Sequence, residues 1–145
     1  MNIKLIEVII VSNDQQLKDA YQVRKKVFVD EQHVPEEEEI DHLESKATHF
    51  VLYQEGNPIG AGRLRIVDEY GKVERICVLK ESRASGAGKA MMDTIEAYAN
   101  EQGINLLKLN AQTHALPFYS KLGYEIVSEE FLDAGIPHKS MIKNI

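Results

Sequence analysis

Residues 83–88 carry one arginine and two glycines at the spacing Arg-x-x-Gly-x-Gly, immediately before a helical pattern. Two glycines let a backbone approach an anion closely and turn its amides toward it. The following helix adds the partial positive charge of its N-terminus, and Arg83 and Lys89 add full charges. The spacing therefore predicts a cradle for a pyrophosphate that needs no metal ion. The alternative is a tight turn between a strand and a helix, with no ligand.

Two other glycine-rich phosphate loops do not fit this stretch. A P-loop needs a glycine at position 83 and a serine or threonine at position 90, where the chain has Arg83 and Ala90. A dinucleotide-binding loop needs a third glycine at position 91, where the chain has Met91. Hydrolysis of ATP or GTP and binding of a dinucleotide are therefore disfavoured.

Hydrophobic periodicity predicts ten elements around this loop, in the order β-α-β-β-β-α-β-α-β-β. The predicted strands are residues 3–11, 48–54, 59–67 and 72–79 and the segments NLLKLNAQ, EIVSE and HKSMIKN. The strands before and after the long helix predict one parallel, right-handed βαβ unit. Short turns predict antiparallel neighbours elsewhere, so the fold class is α/β with a mixed sheet and helices on its faces.

The predicted helices are an amphipathic one in SNDQQLKDAYQVRKKVFVDEQ, a long one that follows the loop and stops at Gly103, and a short one in LPFYSKLGY. The apolar stripe predicted for the long helix consists of Met91, Met92, Ile95, Tyr98 and Ala99. Ser12 and Gln15 resemble a capping box at the start of the first helix. The acidic stretch 34–45 predicts a solvated loop that can contain a short helical turn.

Composition narrows the class of protein. The chain has 145 residues with 43% hydrophobic and 28% charged residues, which predicts one globular domain spanning residues 1–145. A net charge of −6 disfavours nucleic acid and anionic membranes as partners. A single cysteine excludes an intramolecular disulfide and a cysteine-rich zinc site, and the glycine loop has no hydroxyl for magnesium, so we expect no metal. With no secretory signal and no long apolar run, we expect a cytoplasmic protein. We expect it to be a monomer or a homodimer.

Residues 72–124 hold two landmarks in a fixed order. The first is the strand KVERICVL, the loop RASGAG and the long helix, and the second is the strand LLKLNAQ followed by ALPFYSKLGY. This arrangement resembles the acyl-CoA-dependent N-acyltransferases of the GNAT superfamily. The segments RKKVFVDEQHVP, LNAQTHALPFYSKLGY and EEFLDAGIPHKSM resemble its ElaA/YjcF-like group. The resemblance implies the GNAT fold, with a mostly antiparallel sheet, and transfer of an acetyl group from acetyl-CoA to an amine of a small molecule or peptide.

The resemblance also implies where acetyl-CoA binds. Those positions are Ile76, Cys77, Val78, Arg83, Ala84, Ser85, Gly86, Ala87, Gly88, Lys89, Asn110, Gln112 and Tyr119. Many superfamily members carry asparagine where this chain has Gln112, whose amide has the same donors and acceptors on a longer stem. Asn110, on the same strand face, is a second candidate for that contact.

Three residues are candidates for catalysis. Tyr119 stands where the superfamily places the general acid that protonates the departing thiolate, and a tyrosine of the core is the alternative. Glu74 stands where some relatives keep a general base, and an ion pair with Arg63 or Arg65 is the alternative. His114 precedes the tyrosine helix, and histidine is a residue type that commonly transfers protons, although a lone histidine in a loop is often only a polar residue.

Three further residues are candidates for binding the acceptor. Glu31 lies where relatives build the acceptor cleft and would attract a cationic amine. His138 ends the segment DAGIPH, and as a histidine it is also a candidate for proton transfer, with a merely polar loop residue as the alternative. Arg24 shares a helix face with the apolar residues, so it either lies at a core edge or lines a pocket. Cys77 is expected to be a small core residue, and an acyl-cysteine intermediate is the alternative.

Two other functions compete with an N-acyltransferase. An acyl-homoserine-lactone-type synthase uses the same superfamily fold, and Arg24 to Phe28 vaguely resembles its early R-x-x-x-F pattern. The absence of tryptophan, the short chain and the intact Arg-x-x-Gly-x-Gly loop argue against that synthase. The other is a non-catalytic acetyl-CoA-binding sensor or interaction module that kept the loop and lost the chemistry. Fold alone cannot name the acceptor.

Overall fold

The computed structural model describes residues 5–145, so residues 3 and 4 of the predicted first strand lie outside the described residues. The described strands are β1 (Ile6–Ile10), β2 (Thr48–Gln54), β3 (Asn57–Val67), β4 (Tyr70–Val78), β5 (Leu106–Gln112), β6 (Glu125–Ile126), β7 (Phe131–Asp133) and β8 (Ile136–Asn144). The α-helices are α1 (Asp14–Arg24), α2 (Glu36–Glu39), α3 (Ala87–Glu101) and α4 (Leu116–Lys121). A π-helical segment, Lys25–Glu31, continues α1.

The strands form one sheet in the order β1-β2-β3-β4-β5-β8-β6, with β7 also paired to β8. β4 and β5 run parallel, as predicted for the strands that flank α3, and the other neighbours run antiparallel. The parallel pairing covers only Gly71–Val73 on β4 and Leu107–Leu109 on β5. Beyond these residues the two strands no longer pair, so their C-terminal ends leave a gap in the sheet.

A bulge in β4 lies beside this gap. Ala61 of β3 faces Cys77, whereas Arg63 faces Glu74, so β4 carries one more residue than β3 at this point. Arg75 has a φ of +60°, which is uncommon for a residue with a side chain. The bulge interrupts the alternation of β4, and the last residues of the strand, Ile76–Val78, all border the gap.

The long helix α3 is fixed to the sheet by an apolar stripe. Met91, Met92, Ile95 and Ala99 are completely buried, at the spacing of one helix face. α3 connects the parallel strands β4 and β5, so its N-terminus lies at the end of β4 where the gap opens. The sequence predicted this helix and its stripe correctly.

The start of α1 differs from the predicted capping box by one residue. Asn13 is the N-cap, and its side chain accepts a hydrogen bond from the Gln16 amide at 2.8 Å. The Gln16 side chain in turn accepts from the Ser12 amide at 2.7 Å. The prediction that Ser12 caps the helix with Gln15 was wrong because Asn13 is an equally strong capping residue one position later.

The C-terminal part of the described chain holds three strands where the sequence predicted two. β6 pairs with the middle of β8, and β7 forms a hairpin with its beginning through the turn at Ala134 and Gly135. β7 is only three residues long, FLD, which is too short to show the alternation that predicts strands from sequence. Among residues 5–145, no helix is long and apolar enough to cross a membrane.

Candidate active site

The gap between β4 and β5 opens into a cleft of about 740 Å³. Its walls come from these two strands, the π-helical segment, α2, the loop before α3, α4 and the hairpin of β7 and β8. The predicted site residues that line it are Glu31, Glu74, Ile76, Cys77, Val78, Arg83, Ala84, Gly88, Asn110, Gln112, His114, Tyr119 and His138. Two diverging parallel strands therefore bring most of the predicted site together.

The loop before α3 presents free backbone amides. Gly86 has a φ of +87° and Ala84 a φ of +63°, so the chain turns sharply into the helix. The first hydrogen bond of α3 runs from the Ala90 amide to the Gly86 carbonyl at 3.0 Å. The amides of residues 87–89 precede that bond and have no partner among residues 5–145. An amide cluster at a helix N-terminus is an anion-binding geometry.

The two glycines of the loop have different structural roles. A β-carbon at Gly86 would meet nothing within 4 Å, so the space in front of it is open. A β-carbon at Gly88 would lie 2.9 Å from the Phe118 ring, so this glycine allows α3 to pack against α4. The spacing alone predicts that both glycines serve the anion, whereas the structure gives Gly88 a packing role as well.

Arg83 and Glu31 form an ion pair across the mouth of the cleft. The Arg83 guanidinium donates to both Glu31 carboxylate oxygens at 2.7 Å, and its Nε donates to the Val78 carbonyl at 3.0 Å. The hydrogen bonds from Arg83 lower the pKa of Glu31. The carboxylate that we predicted would meet a cationic acceptor is therefore engaged with the arginine of the loop.

Four predicted cofactor residues do not line the cleft but surround the start of α3: Ser85, Gly86, Ala87 and Lys89. Lys89 is largely exposed and pairs with Asp93 one turn along the helix at 2.7 Å. The Ser85 hydroxyl donates to the Ser82 carbonyl and so stabilises the turn. The lysine charge lies on the helix surface rather than at the amide cluster.

Two amides and a histidine connect β5 to the π-helical segment. The Gln112 amide nitrogen donates to the Gln32 side-chain oxygen at 2.7 Å, and the Gln112 oxygen accepts from His114 Nε2 at 2.6 Å. Asn110, the other candidate, accepts from the Ser140 hydroxyl at 2.8 Å. Gln112 therefore links two walls of the cleft through its bond to Gln32. His114, on the other side of the Gln112 amide, is exposed.

Tyr119 lies on the buried side of α4 with its side chain in the cleft. It is 8% exposed, and its ring makes edge contacts with Phe118 and Tyr124 at centroid distances of 5.0 and 5.8 Å. Burial raises the pKa of its hydroxyl well above the ordinary value, so the group is protonated at neutral pH. Among residues 5–145 no group hydrogen-bonds to that hydroxyl.

Comparison with known proteins decides the family. The family model of the acetyltransferase (GNAT) domain matches residues 9–145. The Bacillus subtilis (strain 168) protein YjcF, an uncharacterized N-acetyltransferase, is 54% identical over 140 residues, which cover 96% of this chain and 100% of YjcF. The chain belongs to the GNAT acetyltransferase family. This family consists of acyltransferases that use acyl-CoA as co-substrate.

Solved structures agree with this GNAT fold. The crystal structure of a protein described as an N-acetyltransferase from Lactobacillus plantarum matches with a TM-score of 0.89 at 26% identity, over 96% of this chain and 97% of that one. Escherichia coli ElaA matches with a TM-score of 0.82 at 24% identity, over 98% and 100%. The acyl-homoserine lactone synthase BjaI matches at 15% identity, with a TM-score of 0.79 over 98% and 83%, which shows the fold alone.

Within this GNAT cleft, Glu74 is held by two arginines. Its carboxylate accepts from Arg65 Nε at 2.6 Å and from Arg63 Nε at 3.2 Å. Although burial raises its pKa, the two guanidinium groups outweigh burial and lower it. The ion-pair alternative is therefore the one that the structure contains, and the charge-neutralised carboxylate is a weak proton acceptor.

Cys77 borders the cleft as a buried thiol. It is 6% exposed, and burial raises its pKa to about 12. A thiol rather than a thiolate is present at neutral pH, and the thiolate is the nucleophilic form. This supports a core role for Cys77 over an acyl-cysteine.

Arg24 does not reach the cleft, which corrects its prediction as a substrate-binding residue. Its guanidinium is 1% exposed and donates to the Glu39 and Glu44 carboxylates, with closest distances of 2.7 Å to each. Glu39 itself is 2% exposed, so the acidic stretch that we predicted as solvated folds onto the arginine. Arg63, also 1% exposed, bonds Asp41 and Glu44 and extends the same buried network.

Sequence reasoning missed several residues that line the cleft. Gln32 and Phe118 contact predicted site residues, and Glu38 and Asp133 add carboxylates at its border. Gln32, Phe118 and Asp133 lie within segments that carry the family resemblance, but nothing in those segments indicates that these side chains border the cleft. Among residues 5–145, no three histidine, cysteine or acidic side chains are grouped as a metal site.

Proposed function

We propose that this protein is an acetyl-CoA-dependent N-acyltransferase that acetylates an amine of a small molecule or a peptide. The observation that supports it best is the free amide cluster at the start of α3, opening into a cleft that contains the buried hydroxyl of Tyr119. The family supports acyl-CoA as the co-substrate. Acetyl-CoA brings a thioester, whose carbonyl carbon an amine attacks and whose thiolate departs.

The described residues fit the successive parts of acetyl-CoA, from the pyrophosphate to the thioester. The amides of residues 87–89 and the guanidinium of Arg83 would bind the pyrophosphate. The free edges of β4 and β5 would hydrogen-bond the amide-containing arm, with Gln112 and Asn110 beside it. Tyr119 is the protonated group that would supply a proton to the thiolate.

The function is tested by incubating the protein with acetyl-CoA, EDTA and a panel of amines, with free thiol as the readout. We expect thiol release with some amines and none without an amine. If calorimetry shows that acetyl-CoA binds but no amine leads to thiol release, the result would support the sensor alternative. A strict requirement for magnesium would contradict the metal-free cradle.

A pair of glycine variants tests the cradle itself. Gly86 and Gly103 share a positive φ, +87° and +79°, and at both positions a β-carbon would point into open space. Alanine therefore strains both positions similarly, by about 1–2 kcal/mol, but only Gly86 borders the amide cluster. We expect Gly86→Ala to weaken acetyl-CoA binding by roughly 10- to 100-fold, and Gly103→Ala to leave it unchanged.

Calorimetry with acetyl-CoA measures the two affinities, and thermal unfolding confirms that the two variants lose similar stability. Equal affinity of Gly86→Ala and the wild type would show that the cradle is assigned to the wrong amides. Valine is a poorer choice at Gly86, because a β-branched side chain is strained further at positive φ.

The ion pair between Glu31 and Arg83 predicts a competition with the pyrophosphate. The pair is partly exposed, and such pairs contribute about 0.2–1 kcal/mol, so breaking it is cheap. We expect Glu31→Gln to bind acetyl-CoA up to about fivefold more tightly at low salt, with the difference shrinking at high salt. Weaker binding by Glu31→Gln would instead mean that Glu31 orients Arg83 toward the phosphates.

A further inference from the structure

His138 is anchored in the cleft by one ring nitrogen. Its Nδ1 lies 2.6 Å from the Ile136 carbonyl oxygen. A carbonyl oxygen only accepts hydrogen bonds, so Nδ1 carries the proton. In the neutral ring, Nε2 then keeps its lone pair and can accept a proton.

The neighbouring strands hold the ring in this position. In the sheet, His138 of β8 lies between Phe131 of β7 and Gln112 of β5, so the three side chains share one row and one face. The Phe131 ring stacks on the imidazole at a centroid distance of 6.0 Å and an angle of 22°. His138 is 8% exposed and lines the cleft, and its Nε2 has no hydrogen-bond partner among residues 5–145.

The other cleft-lining bases are engaged or lie at the border. The Glu74 carboxylate is held by Arg63 and Arg65, Glu31 is held by Arg83, and Glu39 is held by Arg24. His114 is exposed, with one ring nitrogen bonded to Gln112. Glu38 and Asp133 are also exposed. His138 therefore combines burial, a fixed tautomer and a free acceptor nitrogen.

We propose that His138 is the general base of the acyl transfer. This assignment rests on the proposed function. Its Nε2 takes one proton from the incoming ammonium group and leaves a neutral amine. The amine lone pair forms a C–N bond to the thioester carbon, and the C–S bond breaks. The thiolate takes the Tyr119 proton, the second proton of the nitrogen returns to Tyr119, and His138 releases its proton to solvent. The products are the amide, the free thiol and one proton.

Asparagine is the informative substitution. The amide nitrogen of an asparagine in His138→Asn can still donate to the Ile136 carbonyl, while the group at the Nε2 position is lost. We expect kcat/KM to fall on the order of 10²-fold or more, with acetyl-CoA affinity and thermal stability close to the wild type. His42→Asn is the matched control, because His42 is exposed and lies outside the cleft.

Two readouts separate a base from a merely structural histidine. The defect of His138→Asn is expected to shrink with amines whose own pKa lies well below the assay pH, since these arrive unprotonated. In His138→Gly, added imidazole is expected to restore part of the rate in proportion to its concentration. A structural role predicts an equal loss for all amines and no rescue.

The outcomes for the base and for the proposed function are distinguishable. If none of the tested amines makes the wild type release thiol, the proposed function fails and the base assignment fails with it. If the wild type is active and His138→Asn keeps kcat/KM within about threefold, the function stands and the base assignment is overturned. An equal loss for all amines, without imidazole rescue, also overturns it.

Discussion

Tyr119→Phe is expected to lower kcat by about 10²–10⁴-fold while acetyl-CoA affinity changes little. The substitution removes only the hydroxyl, and the ring keeps its edge contacts with Phe118 and Tyr124. Because no described residue bonds the hydroxyl, its loss leaves no partner unsatisfied. An interaction that strengthens only in the transition state appears in kcat rather than in binding. Steady-state kinetics on an active amine, with calorimetry, measure both quantities.

Tyr124→Phe is the matched control for this substitution. Tyr124 packs against Tyr119, and its hydroxyl donates to Glu96 at 3.1 Å, outside the cleft. Removing that hydroxyl is expected to cost about 0.5–1.5 kcal/mol of stability and to leave kcat near the wild-type value. If Tyr119→Phe keeps kcat within about threefold of the wild type, Tyr119 belongs to the core and not to the mechanism.

The parts of the site that sequence predicted are those encoded by local patterns. The loop at residues 83–88 and the stripe of α3 each lie within one stretch, where spacing determines both conformation and face. Tyr119 was placed by its family position, and the structure adds the burial that keeps it protonated. The extent of residues 1–145 as a single domain and the cytoplasmic location stay predictions.

The contacts that shape the cleft come from distant segments and have no local pattern. The parallel pairing of β4 and β5 stops after Val73, and nothing in either strand sequence indicates where pairing ends. Gln32 meets Gln112 across 80 positions, and Glu31 meets Arg83 across 52. Local sequence gives the residue types, whereas partners at such separations are chosen by the packing of whole elements.

The acidic stretch shows why charge runs mislead. Four consecutive glutamates are a typical solvated pattern, and three of them, Glu36–Glu38, are exposed as that pattern predicts. Glu39 is buried because the buried Arg24 guanidinium pairs with its carboxylate, and buried charges need partners. Since α2 borders the cleft, the buried network positions one of its walls.

Removing Arg24 is therefore expected to destabilise the fold strongly. Arg24→Met leaves the Glu39 carboxylate buried without its cation, and breaking such a pair typically costs about 3–5 kcal/mol. Lys25→Met is the matched control at the next position, because Lys25 is exposed and lies 3.9 Å from the exposed Glu36. We expect that variant to change stability by less than about 1 kcal/mol. Urea denaturation of both variants measures the difference.

The pH dependence of unfolding identifies the cause of the stability loss in Arg24→Met. In the wild type, the Arg24 and Arg63 guanidinium groups lower the pKa of Glu44 from 4.5 to about 2, so its share of stability is present above pH 4.5 and is lost as pH falls toward 2. In Arg24→Met, Glu44 has lost one of these two guanidinium groups, so less of this stability remains to be lost and the gap from the wild type narrows as pH falls from 4.5 toward 2. A gap between the two proteins that stays constant from pH 7 to about 3 would point to lost packing by the arginine stem instead of an uncompensated charge.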